Sequence, residues 1–448
     1  MSPVRRAAAL LVLLGGLVPI ALVAVDVARH GQNVPFWDEW ADSLDIALNT
    51  VEGRLTLGDL LRQYNDSRPF FTNLLTAVSA RVAGWSLKLE MAVSLALAGG
   101  TLLLVTSLYR TTHPRGWLIA WIPFSALTFS LLQRRTWLWA VQSQYLFLIV
   151  FVVGSLWVLR RSAAGWRPLV VAAALVLGAT YSYANGFLMW AVMVPVLWML
   201  GYRRWPYALF WAAATAAALS AYFMNYEFRV ERGLTFDPLF LSRFVAVDLG
   251  NAFTVREVVV HPPPEIRLNA TLGALGVLVF LTNVLLLWRA RRAWRDVAPW
   301  VGMALFVVTS AALAGSGRRH MGGIEVAMAS RYVTLTTLFW VAFVATAMMA
   351  TAELGAIRRW VRYGNGAVMA VLLALFVLGS WRFMSARPTI TDAHRACFLA
   401  YPTSHDDTCF ADLHPSLRNN HPYGSLLLAK LETLARHKLA AFGEPARP

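Results

Sequence analysis

Apolar residues gather into long blocks along most of this 448-residue chain, separated by short Arg clusters or by longer polar stretches. A helix of about 20 apolar residues crosses the hydrocarbon core of a bilayer. By that measure the pattern predicts about eleven spans, at 7–28, 88–109, 117–132, 143–159, 168–183, 186–200, 207–223, 269–288, 297–315, 332–351 and 366–383. Residues 168–200 also read as one long hairpin broken at Asn185-Gly186, because Asn-Gly forms turns. The block after Arg6 is longer than the apolar region of a cleaved signal, about 7–15 residues, so it is expected to remain as the first span. The expected class is an all-α integral membrane protein.

The Arg clusters orient these spans. With the N-terminus cytoplasmic, the cytoplasmic segments are the N-terminal tail, 110–116, 160–167, 201–206, 289–296 and 352–365. Together they hold sixteen Arg against two acids, Asp296 and Glu353. Short basic loops belong on the cytoplasmic side. The apolar stretch 69–85 would break this pattern if it spanned, because every later Arg cluster would then lie outside. It is therefore expected to lie on the outer face as an interfacial helix. The outer segments are then a first loop, 29–87, a second, 224–268, a short Gly-rich third, 316–331, and a polar tail. This divides the chain into a polytopic membrane domain, 1–385, and a periplasmic or extracellular tail, 386–448. No internal repeat suggests an inverted-repeat transporter.

Composition agrees. The chain is 58% apolar and 14% charged, with a mean hydropathy of +0.54, far from the balance of a soluble domain. A net charge of +16 would suggest nucleic acid in a soluble protein. Here it is topological, and the expected surroundings are a lipid bilayer without nucleic acid. Nearly all the basic residues are Arg, the exceptions being Lys88, Lys430 and Lys438, a bias typical of GC-rich bacterial genomes. The expected location is thus a bacterial inner or plasma membrane. Cys397 and Cys409 both fall in the tail, where an oxidising compartment favours a Cys397–Cys409 disulfide. With His394, His405, Asp406 and Asp407 they could also be imagined as a metal site, but the spacing fits no zinc signature, and no metal site is assigned.

The sharpest local signal is Val34-Pro35-Phe36-Trp37-Asp38-Glu39-Trp40, two adjacent carboxylates between two Trp just past the first span. An aromatic belt with solvated acids accounts for it, since Trp prefers the membrane interface. It also suits a general base near the membrane surface, where partial desolvation raises a carboxylate pKa. Adjacent acids point apart, so one would face a reacting hydroxyl while the other bound a metal or positioned water. Polar clusters from elsewhere converge on the same face: Asn65 to Arg68, Gln133 to Gln144, Tyr181 to Gly186, Arg318 to His320, and Ser330 to Tyr332. Arg holds phosphate oxygens in a fork, and aromatic faces pack on sugars. The candidate substrate-binding residues are Arg68, Arg134, Arg135, Trp137, Gln142, Asn185, Arg331 and Tyr332. No Walker loop or Rossmann fingerprint occurs, and no cytoplasmic loop is large enough for a nucleotide-binding domain. A lipid-borne substrate entering from the bilayer suits the layout better.

Taken in order, Pro-Phe-Trp-Asp-Glu-Trp, Asn-Asp-Ser-Arg-Pro, Trp-Leu-Trp with Gln142, Ala-Asn-Gly and Ser-Arg-Tyr resemble the GT-C superfamily of membrane glycosyltransferases, and more particularly a bacterial polytopic group within it. The resemblance covers residues 1–385 and leaves out the tail. It implies a GT-C-like bundle of about eleven transmembrane helices with interfacial helices in the first outer loop. It also implies a polyprenyl-phosphate sugar donor, a glycan, lipid or protein acceptor, and a first-loop acid as base, which falls on Asp38 with Glu39 beside it. The segment Asn65 to Arg68 departs from that group, which is richer in His there. A divalent cation cofactor stays open. So do two other readings: an O-antigen-ligase- or polymerase-like enzyme using Arg and His261 of 224–268, and a non-catalytic transporter or scaffold. A transporter should carry charge at mid-bilayer, whereas Asp26 and Glu90 lie near span ends.

Overall fold

A computed structural model describes residues 3–113, 116–228, 233–254, 263–290, 293–319, 322–353, 358–385, 390–405, 410, 413 and 422–444. Regular structure among them is helical throughout. In chain order the helices are α1 (Pro3–His30), α2 (Asp42–Val51), α3 (Leu57–Leu61), α4 (Phe70–Ala83), α5 (Leu87–Thr112) and α6 (Trp117–Thr128). There follow α7 (Arg134–Leu138), α8 (Ser143–Arg161), α9 (Trp166–Thr180), α10 (Leu188–Met199), α11 (Trp205–Phe223) and α12 (Pro238–Asn251). The last are α13 (Pro263–Arg289), α14 (Trp294–Arg318), α15 (Ser330–Glu353), α16 (Arg358–Ser385), α17 (Asp392–Ser404) and α18 (Pro422–Arg436).

Seven of these, α1, α5, α8, α13, α14, α15 and α16, are long and apolar enough to cross a membrane. The predicted spans at 117–132, 168–183, 186–200 and 207–223 are also helical, as α6, α9, α10 and α11, but fall outside that set by length or composition. The fold is therefore all-α with seven candidate membrane helices.

α15 is the centre of the bundle. It is apolar on every side and buried along almost its whole length, packed by α6, α12, α13, α14 and α16. Such a helix has no face to offer solvent. α1 and α16 sit at the periphery and turn Leu11, Val18, Leu373 and Val377 outward, as lipid-facing helices do. α4 is similar: Thr72, Asn73, Thr76 and Ser79 face the protein while Leu74, Val78 and Val82 face out. At 14 residues it is a helix within 69–85 that falls outside the set of seven candidate membrane helices.

Basic ends of several helices meet away from the first loop. Arg160 at the end of α8 pairs with Asp296 in the first turn of α14 and reaches the Thr111 carbonyl at the end of α5. Arg295 donates to the Ser162 carbonyl.

Two expectations need correction. The span at 117–132 ends at Thr128, because Phe129 closes the helix on the Ser125 carbonyl and the chain then winds through short turns to Gln142. The stretch 224–268 is not all loop. Asp237 caps α12 by accepting from the Leu239 and Phe240 amides, with Pro238 at the first helical position, a helix-start signal. α12 then packs closely on α13, because Gly250 and Gly273 leave room for the opposing backbones: a Cβ on either would overlap the carbonyl of Asn269 or Ala246. Small residues drive such crossings in membrane helices. The tail, α17 and α18, folds back onto the first loop.

Gly273→Ala should therefore force α12 off α13 and cost about 1–3 kcal/mol of stability. Thermal unfolding of the purified protein in detergent should register this as a lower midpoint; an unchanged midpoint would show that the crossing relaxes freely.

Candidate functional site

Asp38 and Glu39 sit in a single 3-10 turn, Trp37–Trp40, between α1 and α2, and the structure gives the two acids opposite environments. Glu39 is 2% exposed. Its Oε2 accepts from the Phe36 amide at 2.9 Å and its Oε1 from the Val141 amide at 3.0 Å. Burial pushes this carboxyl up to about 8, against those backbone N–H groups, which favour its ionised form, and with the Asp38 charge adding to the rise. Glu39 thus ties the first loop to the turn before α8. Asp38 is half-buried, and its Oδ1 accepts from the Tyr64 hydroxyl at 2.9 Å. The flanking Trp residues part in the same way. Trp40 is fully buried and donates to the Pro35 carbonyl, while Trp37 is 43% exposed beside Asp38.

Tyr64 belongs to the 61–68 segment, closed by paired backbone bonds between Tyr64 and Ser67. Ser67 Oγ accepts from the Ala184 amide at 3.1 Å, which sets the Ala-Asn-Gly turn against the first loop. Tyr183, the residue before, accepts from the Tyr145 hydroxyl at 2.9 Å. Tyr145 and Tyr183 share an electrostatic neighbourhood with Tyr332, Arg331 and Arg318. Arg331 lies 5.1 Å over the Tyr332 ring. Tyr332 is 6% exposed, and its hydroxyl lacks a hydrogen bond of ordinary geometry. Both guanidiniums are half-buried, and among the described residues neither pairs with a carboxylate. Tyr145 and Tyr332 lie in the first turns of α8 and α15, and helix N-termini favour anions.

Other expected binding residues are occupied by the fold. Arg134, 4% exposed, forks onto Asp26 of α1, with Nε to Oδ2 and Nη2 to Oδ1 each at 2.8 Å; Arg135 is half-buried next to it. Arg68 donates to the carbonyls of Leu61 and Met224 at 2.9 and 2.7 Å. Trp137 is fully buried, stacks on Phe129 and donates to the Ser130 carbonyl, so no ring face is open to a sugar. Asn185 approaches the Ser310 carbonyl at 3.5 Å, and Gln142 is 2% exposed with its Oε1 unpartnered. His261 and Arg256 lie outside the described residues. Cys397 is disulfide-bonded; Cys409 lies outside the described residues.

Sequence reading passed over Tyr64 and Tyr145 and left Arg318 among general polar clusters. Tyr145 lies three residues after Gln142, inside an apolar block, so its partnership with Tyr183 arises only from the packing of α8 on α9. The described residues contain no group of three or more His, Cys, Asp or Glu side chains that would hold a metal ion.

Two expectations follow from this geometry. Because Glu39 holds its proton more tightly when folded, its contribution to stability is greatest below about pH 4.5 and is lost as pH rises toward about 8. The unfolding midpoint should fall across that window, and Glu39→Gln should flatten the fall while costing about 1–3 kcal/mol for an unmet backbone donor. Arg134→Gln should cost about 3–5 kcal/mol by stranding Asp26. Adding Asp26→Asn should recover part of that loss in the same measurement; no recovery would dissociate the pair.

Comparison with known proteins finds no matching family model, no matching curated protein and no matching solved structure.

Proposed function

We propose that this chain is a GT-C-type glycosyltransferase that moves a sugar from a polyprenyl-phosphate donor to an envelope glycan, lipid or protein acceptor on the outer face of the membrane. The observation that carries the reading is one face with two complementary halves. A half-buried Asp38 held by Tyr64 is joined through Ser67 and Ala184 to Arg318 and Arg331, which face three Tyr and no carboxylate. An acid without an Arg partner suits a base; Arg without an acid suits an anion.

In the proposed reaction an acceptor hydroxyl attacks the anomeric carbon and passes its proton to Asp38. The bond from that carbon to the phosphate oxygen breaks, and the oxygen keeps the electron pair. The lipid phosphate is a weak base and leaves without a general acid. It needs charge stabilisation, which Arg331 and Arg318 would supply with the two helix N-termini. Exposed Trp37 offers an aromatic face to a sugar ring beside Asp38. Glu39 is left a structural role, because both its oxygens accept backbone N–H groups.

General-base assistance contributes about 10²–10⁴-fold. In a strain lacking this protein, wild type should restore a sugar missing from the mass profile of envelope glycans. Asp38→Asn, present at equal level in the membrane, should not, and Arg331→Gln should restore on the order of 10²-fold less. Full restoration by Asp38→Asn would remove Asp38 as base; no glycan change on deletion would remove the transferase reading.

A further inference from the structure

We propose that the C-terminal tail is a positioning element for Asp38, gripping the turn that carries it at both ends. What Asp38 does rests on the transferase reading above; what the tail does rests on separate observations.

The turn begins at Trp37, whose φ is 47°. In this left-handed region the Cβ of a bulky residue crowds its own backbone, at a cost of about 1–3 kcal/mol, and such a conformation persists only where its surroundings impose it. Those surroundings come from the far end of the chain. The Trp37 amide donates to the Leu413 carbonyl at 2.8 Å, and the Leu413 side chain is fully buried. At the other end of the turn the buried Trp40 ring meets Phe398 and Phe410 edge-on, with centroids 6.0 and 5.6 Å apart. Phe398 is backed in turn by Phe442 at 4.7 Å. Asp38 and Glu39 lie between the two grips, while the Trp37 ring is left open.

Polar contacts hold the tail on either side of the turn. Before it, Gln32 donates to Asp392 at 3.0 Å and Asn33 to Glu444 at 3.1 Å. After it, Lys430 pairs with Asp45 at 2.5 Å. Glu444 also takes Lys88 and Arg395, at 2.5 and 3.0 Å. Burial pushes the Glu444 carboxyl up, but the hydrogen bonds and charges of Lys88 and Arg395 outweigh it and its pKa is lowered. Ala440 donates to the Gly84 carbonyl at the end of α4. The tail thus contacts the first loop before, within and after the Asp38 turn, and does not merely cover it.

The test uses the full-length protein with Phe410→Ala, and Phe410→Leu as the conservative control. In hydrogen exchange of the purified protein, Phe410→Ala should speed exchange over residues 36–41 by on the order of tenfold while α8 and α15 keep their protection. In the deletion strain its glycan restoration should fall toward that of Asp38→Asn, and Phe410→Leu should recover most of both readouts. Unchanged exchange over 36–41 would overturn the proposal. So would faster exchange throughout the chain, which would make the tail a general brace, or full glycan restoration by Phe410→Ala where Asp38→Asn restores none. If Asp38→Asn itself restores the glycan, the transferase reading is what has failed, and the exchange data still decide whether the tail holds the turn.

Discussion

Backbone N–H and C=O groups in the core of a bilayer, or buried within the protein, find no water to bond and must be satisfied by the protein itself. That constraint is most acute between α6 and α8, where short 3-10 turns flank the five-residue helix α7. From Phe129 to Gln142 the peptide turns repeatedly among buried side chains, and each turn is answered by a specific partner. Gln133 donates to the Thr128 carbonyl, Trp137 to Ser130, and Trp139 to Phe36, while Glu39 accepts from Val141. Arg134 anchors the whole stretch to α1 through Asp26. The residues that looked most like ligands for a substrate are largely the ones meeting this demand.

This explains which parts of the fold were legible in the sequence. Apolar blocks above a certain length announce membrane helices through transfer energy alone, so all seven candidate spans among the described residues coincide with predicted blocks, and the helix α4 falls within 69–85. α12 was missed because a search for long apolar blocks has no reason to stop at a 14-residue helix, although Asp237-Pro238 is a readable start. The end of α6 was misplaced because Phe129 to Leu132 is apolar enough to continue a helix, and what stops it is the need to place Gln133 and Arg134. Hydropathy does not contain that information.

For the candidate site, the sequence marked which residues are polar or aromatic but not how each is partnered. The structure links several of the polar and aromatic clusters marked in the sequence, through Tyr64, Ser67 and Ala184, and puts the Asp38-Glu39 pair in one short turn. Which of two adjacent acids is buried depends on which one meets the Val141 amide, a contact between residues 102 apart in sequence. Likewise Arg134 and Arg331 look alike in sequence, each within a span-end cluster. One faces Asp26 and the other a set of Tyr hydroxyls, and only the packing of α7 on α1 and of α15 on α8 decides it.

The link between Asn33 and Glu444 joins residues 411 apart, so the first loop is closed by residues made long after it. Throughout synthesis Gln32, Asn33, Asp45 and Lys88 stand without those partners, and contacts of such long sequence separation form late and slowly. A chain that stalls before α17 therefore displays an unlatched loop even when the helices up to α16 are in place. Arrival of the tail is thereby written into the shape of the loop, in a form that chaperones and proteases read as exposed, unpaired polar groups.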